Sequence, residues 1–387
     1  MSNIVGKKSG LVWAVHISVF VLVALWLMPT IGLFVSSFRT ADQIATSGWW
    51  NSLFAQEQNL ILRTAAPSTQ REEGGVFVID GNIFSQNGSS VTAAISAWGT
   101  SSRAISDFQP GDTAPLGDGA EVTLQENGDY RIESPTEITG SRGERLFITA
   151  EVPPEFTLQN YDTVLLSGSS TDSMARAFFN TLTVTIPATI IPIVIAAFAA
   201  YALAWMQFPG RALLIAAVVA LLVVPLQLAL IPLLRLHLEI GIGKGYLGVW
   251  LAHTGFGLPL AIYLLRNYMV GLPRDIIECA KVDGATDFQI FTRIILPLSF
   301  PALASFAIFQ FLWTWNDLLV AKVFLIDATG ETTVMTNQIV ELLGTRGGNW
   351  EILATAAFVS IALPLLVFLF MQRYLVRGLL AGSVKGG

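Results

Sequence analysis

Charge is scarce in this chain. Only 13% of its 387 residues are charged, about half the share of an average globular protein, which argues against an ordinary soluble enzyme. Cysteine occurs once, as Cys279, so there is no internal disulfide and no cysteine-based metal site. The three histidines, His16, His237 and His253, are too few and too scattered for a helical zinc motif. No bound metal or cofactor is expected. A phosphate-binding loop is also missing. Gly241-Ile242-Gly243-Lys244-Gly245 lacks the four-residue spacing and the terminal Ser or Thr, so any ATP must be met by another chain. Lysine is absent from residues 38–179, which hold eight Arg against eighteen Asp or Glu, a local balance of −10. The remainder sums to +4. That division leaves no basic face for nucleic acid.

What is abundant is apolar sequence. Hydrophobic residues make up 53%, and the mean hydropathy is +0.59. Five apolar runs fall at Leu11–Val35, Thr181–Met206, Ala212–Leu234, Leu247–Leu265 and Ile352–Phe370, and a sixth, Leu296–Trp313, is interrupted by Ser299, Pro301, Ser305 and Gln310. Each approaches or exceeds the ~20 residues that cross a ~30 Å hydrocarbon layer. The expected fold is an all-α polytopic membrane protein with six transmembrane helices. Leu11–Val35 is too long for the apolar core of a signal peptide and is followed by no small-residue cleavage pattern.

Lys and Arg near span ends set orientation. With the N-terminus in the cytoplasm, Lys7, Lys8, Arg211, Arg266, Arg274, Lys281, Arg293, Arg373, Arg377 and Lys385 lie inside. Arg235, Lys244, Lys322 and Arg346 fall in the short outside loops, a count of ten to four. Both termini are therefore expected in the cytoplasm. The acidic block between the first two spans is then translocated, since long loops cross largely regardless of charge.

That block, residues 41–155, reads as a folded β-rich extracytoplasmic domain inserted between helices 1 and 2. Val76–Ile79, Asp80-Gly81 and Ile83-Phe84 carry a hairpin signal, with Asp-Gly suited to a type I′ turn. Val122 and Leu124 alternate before Asn127-Gly128, and Tyr130 and Ile132 after it. Leu146, Ile148, Ala150 and Val152 form a third period-2 run. A small sandwich or barrel is expected, with Asn87–Gly119 partly loop. Residues 1–40 form the N-terminal tail and first span, and 156–387 the helical remainder.

The cytoplasmic loop 266–297 is the most informative segment. Pro273 opens a short helix with Asp275 in its first turn, Ile276, Ile277 and Ala280 give it an apolar side, and Gly284 ends it. Thr286 or Asp287 caps a second helix. Small residues at the centre of such a helix–Gly–helix allow close approach in a partner's groove, while Glu278, Lys281 and Asp283 are placed for ion pairs at its rim. Glu278-Cys279-Ala280, Gly284 four places on, Ile294 ten after that, then Leu296-Pro297, resembles the "EAA" loop of ABC-importer permeases, with Cys279 in place of one Ala. The segments Thr157–Tyr161, Phe208–Arg211, Trp313–Asp317 and Gln372–Gly386 resemble the same family, over residues 1–40 and 156–387. Together they look like the second, smaller permease subunit of maltose-type sugar importers. The β-rich insert departs from that type and is similar to the enlarged external loop of α-glucoside permeases.

The resemblance implies a non-catalytic subunit of a bacterial inner-membrane importer that takes up α-glucosides or other oligosaccharides. Its partners would be a second permease subunit, an ATPase dimer that hydrolyses the ATP, and an extracytoplasmic sugar-binding protein, with lipid around the spans. Glu278, Cys279, Ala280, Asp283, Gly284, Ile294, Leu296 and Pro297 would couple to the ATPase, and the tail residues Lys385 and Gly386 would reach it.

Gln227, Gln310, Trp313 and Asn316 are candidates for the translocation path. Each also has a plainer reading: polar contact between helices, an interfacial Trp belt, or a capping residue. His16 and His253 lie inside spans, where a hydrogen bond to a neighbouring helix competes with function. Two rival functions stand beside the importer. A secondary transporter usually shows two related halves, and no such pairing is visible. A membrane-anchored sensor or enzyme would work through the external block, which has no histidine and no recognisable acid spacing.

Overall fold

The computed structural model describes residues 10–86, 93–166, 173–345 and 348–380. Lys385 and Gly386, like Lys7, Lys8 and Arg346, lie outside the described residues. Two compact units divide between Leu158 and Gln159.

The first unit begins with α1 (Gly10–Ser36), followed by α2 (Ala41–Thr46) and a short helical turn at Trp49–Asn51. Eight strands follow: β1 (Gln56–Arg63), β2 (Arg71–Glu73), β3 (Val76–Asn82), β4 (Ala94–Gly99), β5 (Thr113–Gly117), β6 (Ala120–Leu124), β7 (Asp129–Ser134) and β8 (Arg145–Val152), with α3 (Ile83–Gln86) after β3. They form two antiparallel sheets, β1-β8-β4 and β2-β3-β7-β6-β5. Inward residues of both sheets, among them Ile79, Trp98, Leu124, Ile132, Leu146 and Ile148, share one core. This is the two-sheet packing that the alternating patterns anticipate. Within Asn87–Gly119, β4 and β5 are strands, and residues 100–112 between them are mainly turns and bends, so the region is partly loop as read.

One turn expectation fails. Asp80-Gly81 does not turn; both residues continue β3, opposite Arg131 and Tyr130 of β7. Cross-strand pairing, together with the Arg71–Asp80 ion pair at 2.6 Å, overrides the local preference. The turn comes at Asn82, whose Oδ1 accepts from the N–H groups of Phe84 (3.1 Å) and Ser85 (3.2 Å) and so starts α3. The tight hairpin is instead Gly74-Gly75, with φ +61° and +87°, between β2 and β3. Asn127-Gly128 turns as read, with Gly128 at φ +87°.

On the outer face of the larger sheet, Arg71 bonds Glu73 and Asp80, and Arg131 bonds Glu73 and Glu133. Hydrogen bonds from Arg71 hold the Asp80 and Glu73 carboxyls below the usual carboxylate range.

The second unit is helical: α4 (Gln159–Leu165), α5 (Met174–Trp205), α6 (Arg211–Leu221), α7 (Leu226–Glu239), α8 (Tyr246–Val270), α9 (Arg274–Val282), α10 (Asp287–Ile290), α11 (Leu296–Leu298), α12 (Phe300–Trp315), α13 (Leu319–Phe324), α14 (Met335–Thr345) and α15 (Trp350–Leu380). A π-helical turn, Phe291–Ile295, joins α10 to α11. Among the described residues, α1, α5, α8 and α15 are long and apolar enough to cross a membrane.

Two further spans are available only as bent pairs. α6 and α7 meet at 111°, and the segments Asp287–Leu298 and Phe300–Trp315 at 69°. The expected straight run Ala212–Leu234 is therefore broken. The cause is Pro225, which disfavours helical backbone at Val224 and starts α7 anew with φ −65°, ψ 123°. Arg235, expected in a loop, lies within α7.

Candidate functional site

The loop between α8 and α12 forms by local rules. Pro273 supplies the fixed φ before α9, and Asp275 sits in its first turn. At the other end Gly284 adopts φ +79°. Its N–H donates to Lys281 O (3.1 Å), and that of Ala285 donates to Ala280 O (3.0 Å), the paired bonds of a Schellman cap. Thr286, not Asp287, caps α10: its Oγ1 accepts from Gln289 N (3.3 Å), and Gln289 Oε1 accepts from Thr286 N (2.9 Å).

Helical spacing then sorts the side chains. Ile277 and Ala280 point into a core shared with Tyr201, Leu265, Met269 and Phe291. Ile294 and Leu296 pack against that core, while Pro297 is exposed. Glu278, Cys279, Asp283 and Gly284 are exposed. The small pair Cys279-Ala280 is thus divided, because successive helical residues point about 100° apart. Ala280 faces the chain's own helices, and Cys279 faces outward. Ile276, read as part of the apolar side, is also exposed.

The outward face is Asp275, Glu278, Cys279 and Val282, at the i, i+3, i+4, i+7 spacing of one helix side. Val282 is 87% exposed, and Phe288 nearby is exposed as well. Sequence reasoning missed these two, although apolar residues in a polar loop are a readable signal for a protein contact. Lys281, expected at the rim, is 3.8 Å from Asp287 of the same loop. The Tyr201 hydroxyl donates to Asp287 at 3.4 Å, tying the loop to α5.

Of the candidate path residues, Gln310 and Trp313 lie on α12 with Asn316 at its end, and Gln227 lies on α7. Gln227 is exposed on α7. Gln310 is buried, and its Nε2 donates to Ala188 O (3.1 Å) and His253 O (3.4 Å), joining α12 to α5 and α8. Gly257 makes room for it, since a Cβ there would lie 2.6 Å from Gln310 Oε1. Trp313 lines an apolar cavity of about 590 Å³ with Leu222, Leu226, Phe256 and Pro259, beside the α6–α7 break. Asn316 donates from Nδ2 back to Leu312 O at 2.8 Å, closing the end of α12. Its neighbour Asp317 is half-buried, lies 3.8 Å from His253 Nε2 and accepts from Ala321 N (3.1 Å) at the start of α13. Burial pushes the Asp317 carboxyl up. Among the described residues no group of three or more His, Cys, Asp or Glu is placed to hold a metal ion.

Known proteins match this chain closely. It is 59% identical to the alpha-glucoside transport system permease protein AglG of Rhizobium meliloti over 386 residues, 98% of this chain and 99% of that one. The match therefore runs through the β-rich insert. It is 58% identical to the osmoprotective compounds uptake permease protein GgtD of Synechocystis over 231 residues, 60% of this chain and 76% of that one. Identity to the trehalose transport system permease protein SugB of Mycobacterium tuberculosis is 35% over 240 residues, 61% and 84% of the two chains. Residues 165–380, which hold the whole loop, match the family described as binding-protein-dependent transport system inner membrane component. The chain belongs to that family, the membrane-embedded permease subunits of binding-protein-dependent ABC importers.

Proposed function

We propose that this chain is the second permease subunit of an α-glucoside importer, and that it moves sugar by alternating access driven by a separate ATPase. The observation that carries the sugar assignment is the 59% identity to AglG along the full length, insert included. In this reading six spans cross the inner membrane, α6–α7 and Asp287–Trp315 each counting as one. Both termini are cytoplasmic and the insert is outside, which the ten-to-four Lys and Arg count supports. A second permease subunit stands beside it, two ATPase subunits lie below, and an external binding protein delivers sugar.

The outward face Glu278–Cys279–Val282, with Asp283 and Gly284, meets the ATPase. The chain itself hydrolyses nothing. Closure of the ATPase pair favours one state of the spans because the loop makes stronger contact in that state. The substrate path is proposed along the cavity that holds Trp313, rather than through Gln310, which is engaged between helices.

The test is ATP hydrolysis by the reconstituted complex over a sugar panel. Stimulation by α-glucosides, and not by β-linked or pentose oligomers, is expected; equal response to all sugars would sink the assignment. Orientation is checked in sealed right-side-out vesicles with an impermeant thiol reagent. A Glu121→Cys variant should react from outside while Cys279 does not.

Lys385 and Gly386 are proposed to contact the ATPase pair, as the family tail does. Truncation after Leu380 should lower ATP hydrolysis by the complex while leaving membrane insertion intact. Unchanged transport by the truncated chain would refute that role.

A further inference from the structure

The neck that joins the insert to α1 is built as a closed clamp. Phe38 O accepts from Thr157 N at 2.7 Å, so the two chain crossings meet just past the end of α1. The Gln43 amide, turned to satisfy both ends, donates to Glu155 O (2.9 Å) and accepts from Glu155 N (2.7 Å). Arg39 is buried, donating to Gln43 O (2.6 Å) and to Ser47 O and Oγ (3.1 and 2.6 Å) at the end of α2. Trp49 packs on the backbone of α1 at Gly32, where a Cβ would lie 2.7 Å from its Nε1. That contact holds the turn Trp49–Asn51 against the C-terminal part of α1, an apolar helix long enough to cross a membrane.

The neck exposes Trp50, Leu53, Phe54, Phe156 and Leu158, each between 51% and 72%. Elsewhere in the described residues from 41 to 158, the one other large exposed apolar side chain is Ile61. The sandwich is thus polar outside, and its apolar exposure is gathered at its base. On α1 itself, Ile31 and Phe34, on either side of Gly32 in sequence, are exposed as well. The neck carries no cation at residues 40–62 and 150–158, which contain no Lys or Arg, so attraction to anionic headgroups plays no part.

We infer that Trp50, Leu53, Phe54, Phe156 and Leu158 form a lipid-binding collar that seats the insert on the bilayer surface. They enter the boundary between headgroups and acyl chains, where amphipathic aromatic residues are favoured. With the clamp closed behind it, the insert is a fixed foot of the first span and not a tethered globule. The inference needs α1 to span, and it is independent of which sugar is carried.

Spin labels placed one at a time at positions 50, 53, 54 and 156, with Cys279 replaced, report the local medium in the full chain in nanodiscs. Phosphatidylcholine discs with and without anionic lipid are compared. The ratio of oxygen to nickel-chelate collisions should be several-fold higher at all four positions than at a label on Glu121, and unaffected by anionic lipid. A water-like ratio at the collar would overturn the inference. So would a ratio that is water-like in the chain alone and rises only when the other subunits are added, which would mean a protein covers the collar. A ratio that rises only with anionic lipid would assign the binding to headgroup charge and equally contradict it. A Leu53→Glu/Phe54→Glu variant should lower the ratio at position 156 while the Glu121 label keeps its spectrum. An unchanged ratio at 156 would show that the collar does not act as one surface.

Discussion

Glu278→Lys is expected to leave the protein inserted and folded and to lower sugar transport by roughly thirtyfold. Glu278 is exposed in the isolated chain, on the side of α9 that faces away from its own core, so the fold loses nothing when it changes. On the proposed coupling role, the loss arises at the interface with the ATPase. Breaking one desolvated charge pair costs about 2 kcal/mol or more, and each 1.4 kcal/mol is about a factor of ten. Gly284→Val acts on the same face by another route. Gly284 has no neighbour within 4 Å of an added Cβ, so nothing clashes, but its φ of +79° is strained for a side chain. The strain of about 1–2 kcal/mol is relieved by opening the Schellman cap, which turns α9 and misdirects Glu278. A reversed charge on the ATPase partner should rescue Glu278→Lys and not Gly284→Val. Measured uptake by vesicles holding the whole complex separates these outcomes. Full uptake by the double variant would reduce the loop to a connector.

Trp98→Ala is expected to unfold the insert while the spans remain helical. Trp98 is fully buried between the two sheets, its Nε1 donates to Gln109 O at 3.0 Å, and its ring lies 5.2 Å from that of Phe108. Removing a buried Trp costs about 3–5 kcal/mol, against a typical domain stability of about 5–15 kcal/mol. Limited proteolysis should then cut within β4–β8 at a temperature where the native insert resists. Helical circular dichroism should be retained. Resistance equal to that of the native chain would mean that the sheets do not depend on this core.

The elements governed by short-range chemistry were legible. Pro273, Asp275, Gly284 and Thr286 each do in the structure what their residue type implies, because caps and left-handed glycine are decided within a few residues. β7 and β8 read directly from their period-2 patterns, since one face of each is buried. Asp80-Gly81 misled because the pairing of β3 with β7, about fifty residues away in sequence, outweighs a local turn preference.

The break between α6 and α7 is carried by Pro225 in a sequence that is apolar on both sides, so hydropathy alone runs straight through it. The division of Cys279 from Ala280 depends on which way α9 is rotated. Only packing against Leu265, Met269 and Phe291 settles that rotation. The path residues were least legible, because polarity within a span marks a helix contact and a substrate contact alike. Gln310 proves to hold α5 and α8.

Cys279 gives the most direct test, because it is the sole cysteine in the sequence and stands on the outward face of α9. The rate at which an impermeant maleimide alkylates it is measured from the cytoplasmic side, in the chain alone and in the complex with the ATPase. Ready alkylation of the chain alone and strong protection after ATPase assembly is the predicted result. Equal alkylation in both, with the complex shown to be intact, would contradict coupling through this loop.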